Sequence, residues 1–186
     1  MNINSKNIFT CRLRKSVIFV FHLHISLFMA ASVCLFPGTF DPITNGHIDI
    51  VNRAVYLFDK LVIGIGVNTN KQTMFTTEQR MAHIHEIFKG NSKIEAVFYE
   101  GLTINFARDI GARTILRGIR TTTDLEYERA IADMNRVIAP EIETFFLTSS
   151  AQFATVSSTL IRDLIRYKHP IDHFVHPVIV SDLEKK

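Results

Sequence analysis

The sequence predicts a single α/β domain built on a five-stranded parallel sheet covered by helices on both faces. Two observations carry that expectation. Five short runs rich in β-branched and aromatic residues recur along the chain, and the segments between them repeat their apolar residues at helical spacing. A third is negative: from Ser32 onward there is no internal repeat, low-complexity tract or linker, so one domain is expected.

The first strand is expected at residues 32–36 and the second at 60–67 (KLVIGIGV). Residues 94–99, 114–116 and 144–147 supply three more. Such runs read as strands buried on both faces. Ile48, Val51, Val55 and Phe58 recur at helical spacing, as do Met81, Ile84, Ile87 and Phe88. Thr76 and Gln79 form a capping box for the second of these helices, and Gly90 ends it. A short helix is expected at 103–110. Asp124 is placed to cap a fourth, running to about Ile138 before Pro140. Ser157 or Ser158 opens a fifth, running to about Lys168 before Pro170, and residues 171–186 add a short one. Strands alternating with helices imply right-handed βαβ crossovers and a Rossmann-like sandwich. Its ligands belong at the carboxyl ends of the strands, close to helix N-termini.

Charge and cysteine usage narrow the classes. The formal charge is +3, but residues 1–31 hold four basic side chains and no acid, so the remainder sums to −1. A near-neutral domain removes the support for a nucleic-acid partner. Cys11 and Cys34 are too few for a disulfide framework, and no zinc-ligand spacing occurs. A reducing, cytoplasmic compartment is expected.

Residues 1–28 stand apart from the domain at 29–186. A basic stretch (Arg12, Arg14, Lys15), an apolar run and then small residues resemble a secretory signal, and the lack of acids also resembles a transit peptide. The run is short for a membrane span and is interrupted by His22 and His24. Translation starting at Met29 is the favoured reading.

The chemistry concentrates where the first strand ends, in FPGTFDPITNGH, residues 36–47. Pro and Gly compact this loop, and Asn45-Gly46 leads into a helix. Thr39 and Phe40 lie on the loop edge, offering backbone N–H groups and a hydroxyl. His47 falls in the first helical turn, where the dipole and free N–H groups favour phosphate. A lone histidine there would more simply cap or pack the helix. Set within GTFDPxTxGH, it is part of a far more specific string.

That string resembles the T/H-x-G-H signature of the nucleotidylyltransferase superfamily and, in its full form, the bacterial phosphopantetheine adenylyltransferase family. The resemblance covers residues 32 to about 182. It implies direct attack of the phosphate of 4'-phosphopantetheine on the α-phosphorus of ATP, giving dephospho-coenzyme A and pyrophosphate. The chain offers no nucleophile–base pair for a covalent route. By this resemblance His47, Lys71, Thr39 and Arg117 are the catalytic set, and Thr39, Lys71, Thr103 and Arg117 meet the pantetheine substrate. Thr39, Phe40 and His47 would contact ATP, with Gly118, Ile119, Arg120 and Glu128. So would Phe153, Ala154, Thr155, Val156, Ser157, Ser158 and Thr159.

Each assignment has a plainer rival. Lys71 could be a solvated loop lysine; Arg117 and Arg120 could be surface ion-pairing arginines; one N-capping hydroxyl would suffice among Ser157, Ser158 and Thr159. Threonine at 103 departs mildly from the family pattern. His83 and His85 point to different helix faces, and Pro170 separates His169 from His173. No protein-ligated metal is implied, and Mg²⁺ would ride on the ATP phosphates. The resemblance further implies a homohexamer and no membrane partner. An adenylyltransferase acting on nicotinate mononucleotide is the nearest alternative, and a non-catalytic nucleotide-binding module the more distant one.

Overall fold

The computed structural model describes residues 31–67 and 72–185, and the account below concerns the unit Ser32–Lys186. The expectations for residues 1–28 and for Lys71 lie outside the described residues.

Five strands form one all-parallel sheet in the order β3-β2-β1-β4-β5. They are β1 (Val33–Gly38), β2 (Lys60–Gly66), β3 (Ile94–Tyr99), β4 (Thr114–Ile119) and β5 (Glu143–Thr148). Among the described residues there are six α-helices: α1 (Asn45–Ala54), α2 (Thr77–Ile87), α3 (Thr103–Asp109), α4 (Thr122–Ile138), α5 (Ser158–Arg166) and α6 (Pro177–Leu183). A short 3₁₀ turn, Ala151–Phe153, follows β5 and was not expected from the sequence.

Side-chain alternation along the strands divides the interior into two cores. Cys34, Phe36, Leu61, Ile63, Ile65 and Leu116 pack with Ile50, Val51 and Ala54 of α1, Ile84 of α2, Ile161 of α5 and Ile179 of α6. On the opposite face Leu35, Val62 and Ile115 pack with Ile104 and Ala107 of α3 and with Ala139 and Ile142. Only the three central strands are buried on both faces. In β3 and β5, the two edge strands, exposed positions interrupt the buried and half-buried ones. Helix α4 has no buried residue.

The chain winds outward from β1 to β2 and β3, then crosses back to place β4 on the other side of β1. The switch point is therefore the crevice between β1 and β4. These two strands pair only at Cys34↔Thr114 and Leu35↔Ile115, whereas β1 and β2 pair at six positions. Beyond residue 35 they part, and the gap opens at their carboxyl ends.

Several local expectations shift. β4 continues through Arg117, Gly118 and Ile119 instead of ending at Leu116, because its pairing with β5 runs on to Ile119↔Thr148. Thr121, not Asp124, caps α4: its hydroxyl accepts from the Asp124 N–H, while the Asp124 carboxylate accepts from the Arg120 N–H. The Thr76–Gln79 capping box is present as expected, and Ser157 is the cap of α5.

Candidate active site

Two cavities open at the crevice. The first, about 410 Å³, is lined by the β1–α1 loop, the end of β4 and the start of α5, including Thr39, Phe40, Asp41, Thr44, His47, Arg117, Gly118, Arg120 and Glu128. Val156, Ser157, Ser158, Thr159 and Arg162 close its far wall. The second, about 650 Å³, lies towards β3 and α3, with Tyr99, Thr103, Thr77 and Arg80 on its wall. Pro37, Gly38, Thr39, Thr73 and Arg117 line both. These five residues form a seam common to the two cavities.

The β1–α1 loop is held in an unusual course. Phe40 has φ of +50°, a region costly for a bulky side chain. Its ring is buried over Gly38, where any added Cβ would lie 2.8 Å from Phe40 Cζ. Position 38 therefore has to be glycine if this ring is to pack there. Asp41 locks the other end of the loop by accepting from the N–H groups of Met74 and Phe75, each at 2.9 Å.

His47 both caps its helix and faces the first cavity. The Thr44 N–H donates to Nδ1 at 3.1 Å, with Thr44 Oγ1 2.9 Å from the same nitrogen. An Nδ1 that accepts cannot carry the proton in neutral imidazole, so Nε2 bears it and is a donor. The Phe40 ring meets the imidazole edge-on at 5.3 Å. Burial, and then the positive charges of Arg120 and Arg117, lower the His47 pKa to about 4. At neutral pH the residue is an uncharged hydrogen-bond donor. The Asn45 N–H of the same turn donates to the Phe174 carbonyl at 2.8 Å, tying α1 to the C-terminal segment.

Arg117 and Glu128, expected to meet different ligands, are partners of one another through two parallel hydrogen bonds. Arg117 Nη1 also donates to the Pro37 carbonyl at 2.9 Å, across the gap left where β1 and β4 part. Arg120 binds the Asp124 carboxylate through Nε at 3.0 Å and the Val156 carbonyl at 3.3 Å. Gly118 lies against α1, its missing Cβ 3.4 Å from Ile50 Cγ1.

At the start of α5 the three hydroxyls have separate tasks. Ser157 Oγ accepts from the Leu160 N–H, Ser158 Oγ donates to the Pro42 carbonyl, and Thr159 Oγ1 accepts from Arg162. All three residues line the first cavity, and as the first turn of a helix they direct free backbone N–H groups at it. Phe153, Ala154, Thr155 and Ile119 do not reach the wall. Phe153 packs beside Gly46 instead, its Cβ 3.4 Å from where a Cβ on that glycine would sit. Ile119 is buried in the sheet.

Sequence reasoning passed over Thr44, Asp41, Arg162 and Arg80. Thr44 and Asp41 stand inside the string at residues 36–47 and Arg162 just beyond the stretch 153–159, and their partners became visible only with the fold: Arg162 Nη1 donates to the Asp41 carbonyl at 2.7 Å. Arg80 carries no motif signal at all.

An open parallel-sheet switch point, a neutral histidine donor at a helix N-terminus and a seam between two cavities that carries Arg117 define a nucleotide-binding α/β protein with room for a second, anionic ligand. Comparison with known proteins agrees. A Cytidylyltransferase-like family model matches residues 35–164. A phosphopantetheine adenylyltransferase of Alkaliphilus metalliredigens is 41% identical over 154 residues, covering 83% of this chain and 98% of the relative. The enzyme of the same name from Leptospira biflexa is 41% identical over 155 residues, and that of Bradyrhizobium sp. is 40% identical over 159; each comparison covers 83% of this chain and 97% of the relative. The chain belongs to the Cytidylyltransferase-like family and, within it, to the phosphopantetheine adenylyltransferases.

Proposed function

We propose that the chain transfers the adenylyl group of ATP to 4'-phosphopantetheine, releasing pyrophosphate and forming dephospho-coenzyme A. The observation that carries this reading is the shared seam: Thr39 and Arg117 line both cavities, where two anions would meet. ATP takes the cavity of His47, Gly118, Arg120 and the Ser157–Thr159 turn, and the acceptor takes the cavity of Thr103.

In the reaction an acceptor phosphate oxygen forms a bond to the α-phosphorus, and the bond from that phosphorus to the bridging oxygen of pyrophosphate breaks. The protein supplies position and charge, not a covalent intermediate. His47 donates from Nε2 to an α-phosphate oxygen, a bond that strengthens as charge grows there. Thr39 orients the acceptor phosphate, and Arg117 with Lys71 offsets the repulsion between the two anions. Asp41 and Glu128, the carboxylates of the first cavity, are already engaged by backbone N–H groups and by Arg117. That donor set fits Mg²⁺ held by the ATP phosphates and water, where it would neutralise phosphate charge.

We further propose a homohexamer in the cytoplasm. Tyr127, Ile131, Met134 and Ile138 form an exposed apolar stripe along α4, a surface that association would cover. Among the described residues no helix is long and apolar enough to cross a membrane, and the reading requires no membrane or nucleic-acid partner. Analytical ultracentrifugation tests the assembly. Pyrophosphate release with ATP and a panel of acceptors tests the activity. Turnover with nicotinate mononucleotide but not with 4'-phosphopantetheine would overturn the substrate assignment.

A further inference from the structure

Three uncharged oxygens hold the Arg80 guanidinium. Nη1 donates to the Thr39 carbonyl at 2.7 Å, Nη2 to Thr77 Oγ1 at 2.9 Å and Nε to the Thr76 carbonyl at 3.3 Å. The residue is only 3% exposed, yet it lines the second cavity.

This placement is electrostatically costly on two counts. Burial disfavours the charged guanidinium and lowers its pKa, although Asp41 and Glu78 act in the opposite sense. Arg80 is also the fourth residue of α2, in the end of the helix where the dipole favours anions. Two carbonyls and a hydroxyl bring no formal negative charge to offset either. Helix stability alone would be better served by a neutral side chain.

What the arginine reaches for is the seam. Thr39 is 41 positions away in sequence and borders both cavities. Its carbonyl belongs to the peptide that leads into Phe40, the residue with positive φ. A strained backbone persists only when its surroundings fix it, and the Arg80–Thr39 bond does so from the second cavity.

We propose that Arg80 is a positioning residue for the transfer. It fixes the Thr39–Phe40 peptide so that the Thr39 N–H and hydroxyl are presented at the seam. Its own charge, held by uncharged oxygens, also adds to the positive potential that draws in the acceptor phosphate. This inference rests on the adenylyl-transfer reading above.

The test compares wild type, Arg80→Gln and Arg80→Lys by calorimetric titration with 4'-phosphopantetheine and with ATP, by steady-state pyrophosphate release and by thermal melting. For Arg80→Gln, kcat falls and the acceptor Kd rises, each by about tenfold, while the ATP Kd stays within about twofold. Arg80→Lys, which keeps the charge but not the three-pronged geometry, recovers acceptor binding and leaves kcat low. Lowered melting temperatures with wild-type kcat and acceptor Kd in both variants would reduce Arg80 to a helix support and overturn the proposal. If Arg80→Gln does not fold, the Arg80→Lys split between binding and kcat decides. Wild-type protein that binds 4'-phosphopantetheine without releasing pyrophosphate would sink the transfer reading, and the acceptor titration of the variants would then decide Arg80. Wild-type protein that binds no acceptor sinks both.

Discussion

Arg117 on β4 and Glu128 on α4 face each other through a two-pronged bridge, with Nε 2.7 Å from Oε2 and Nη2 closing the second bond to Oε1. The pair is largely sheltered, its side chains 28% and 12% exposed. In that arrangement the carboxylate balances the cation at the seam and also fixes the plane of its guanidinium.

Orientation of Arg117 should therefore depend on Glu128. Glu128→Gln keeps the size but removes the charge and one acceptor, and kcat should fall by about tenfold as the guanidinium loses its fixed plane. The freed positive charge should make inorganic pyrophosphate bind more tightly to the variant. Unchanged kcat together with unchanged pyrophosphate affinity would mean that the bridge is structural only.

His47 presents one nitrogen to the helix and the other to the cavity, so its removal has two separable effects. His47→Ala should lower kcat by about 10²–10³ while the ATP Kd changes much less, as for other donors that act on developing charge. Loss of the Nδ1 cap should also cost about 1 kcal/mol of stability, read from denaturant unfolding. Near wild-type turnover would remove His47 from the mechanism.

Acid should expose the depressed His47 pKa. The folded protein refuses a proton until about pH 4, whereas the unfolded chain accepts one near its ordinary value of about 6.5. The unfolded state thus binds more protons between these values, and stability falls as pH drops through that window. The contribution is complete above about pH 6.5 and amounts to at most about 3 kcal/mol. The stability advantage of wild type over His47→Ala should shrink and then reverse as the pH falls from 7 to 4; a difference that does not change with pH would disprove the shift.

The domain from Met29 should suffice for activity. Among the described residues, the two cores and both cavities are lined from Leu35 onward, apart from Val33 and Cys34 at the start of β1. A chain beginning at Met29 should match the full chain in kcat and melting temperature. A large loss of either would give residues 1–28 a role in the folded protein.

Periodicity made the sheet legible because its central strands carry unbroken apolar runs and its helices repeat at 3.6 residues. The extension of β4 through Arg117-Gly118-Ile119 was hidden, since arginine and glycine are poor strand signals and the pairing with β5 is a tertiary fact. The cap of α4 was misplaced because Thr121 and Asp124 both suit a helix start, and only geometry tells which one accepts. At the site, the motif string singled out Thr39 and His47, and the family resemblance the Ser157–Thr159 turn, all of which line the first cavity. It could not reveal that Arg117 and Glu128 satisfy each other, nor that Arg80 crosses from α2 to Thr39, because both contacts join segments that a linear pattern treats separately.

The early parting of β1 and β4 has a consequence for how new specificities arise. By giving up ladder bonds beyond Leu35↔Ile115, the sheet gains a slot whose two sides are built from different stretches of chain: residues 117–128 and 156–162 for one, residues 99–103 and 77–80 for the other. If the proposed function holds, substitutions around Thr103 would reshape the socket for the incoming molecule while the opposite wall, assigned there to the nucleotide, keeps its form. The architecture separates what is recognised from how it is activated.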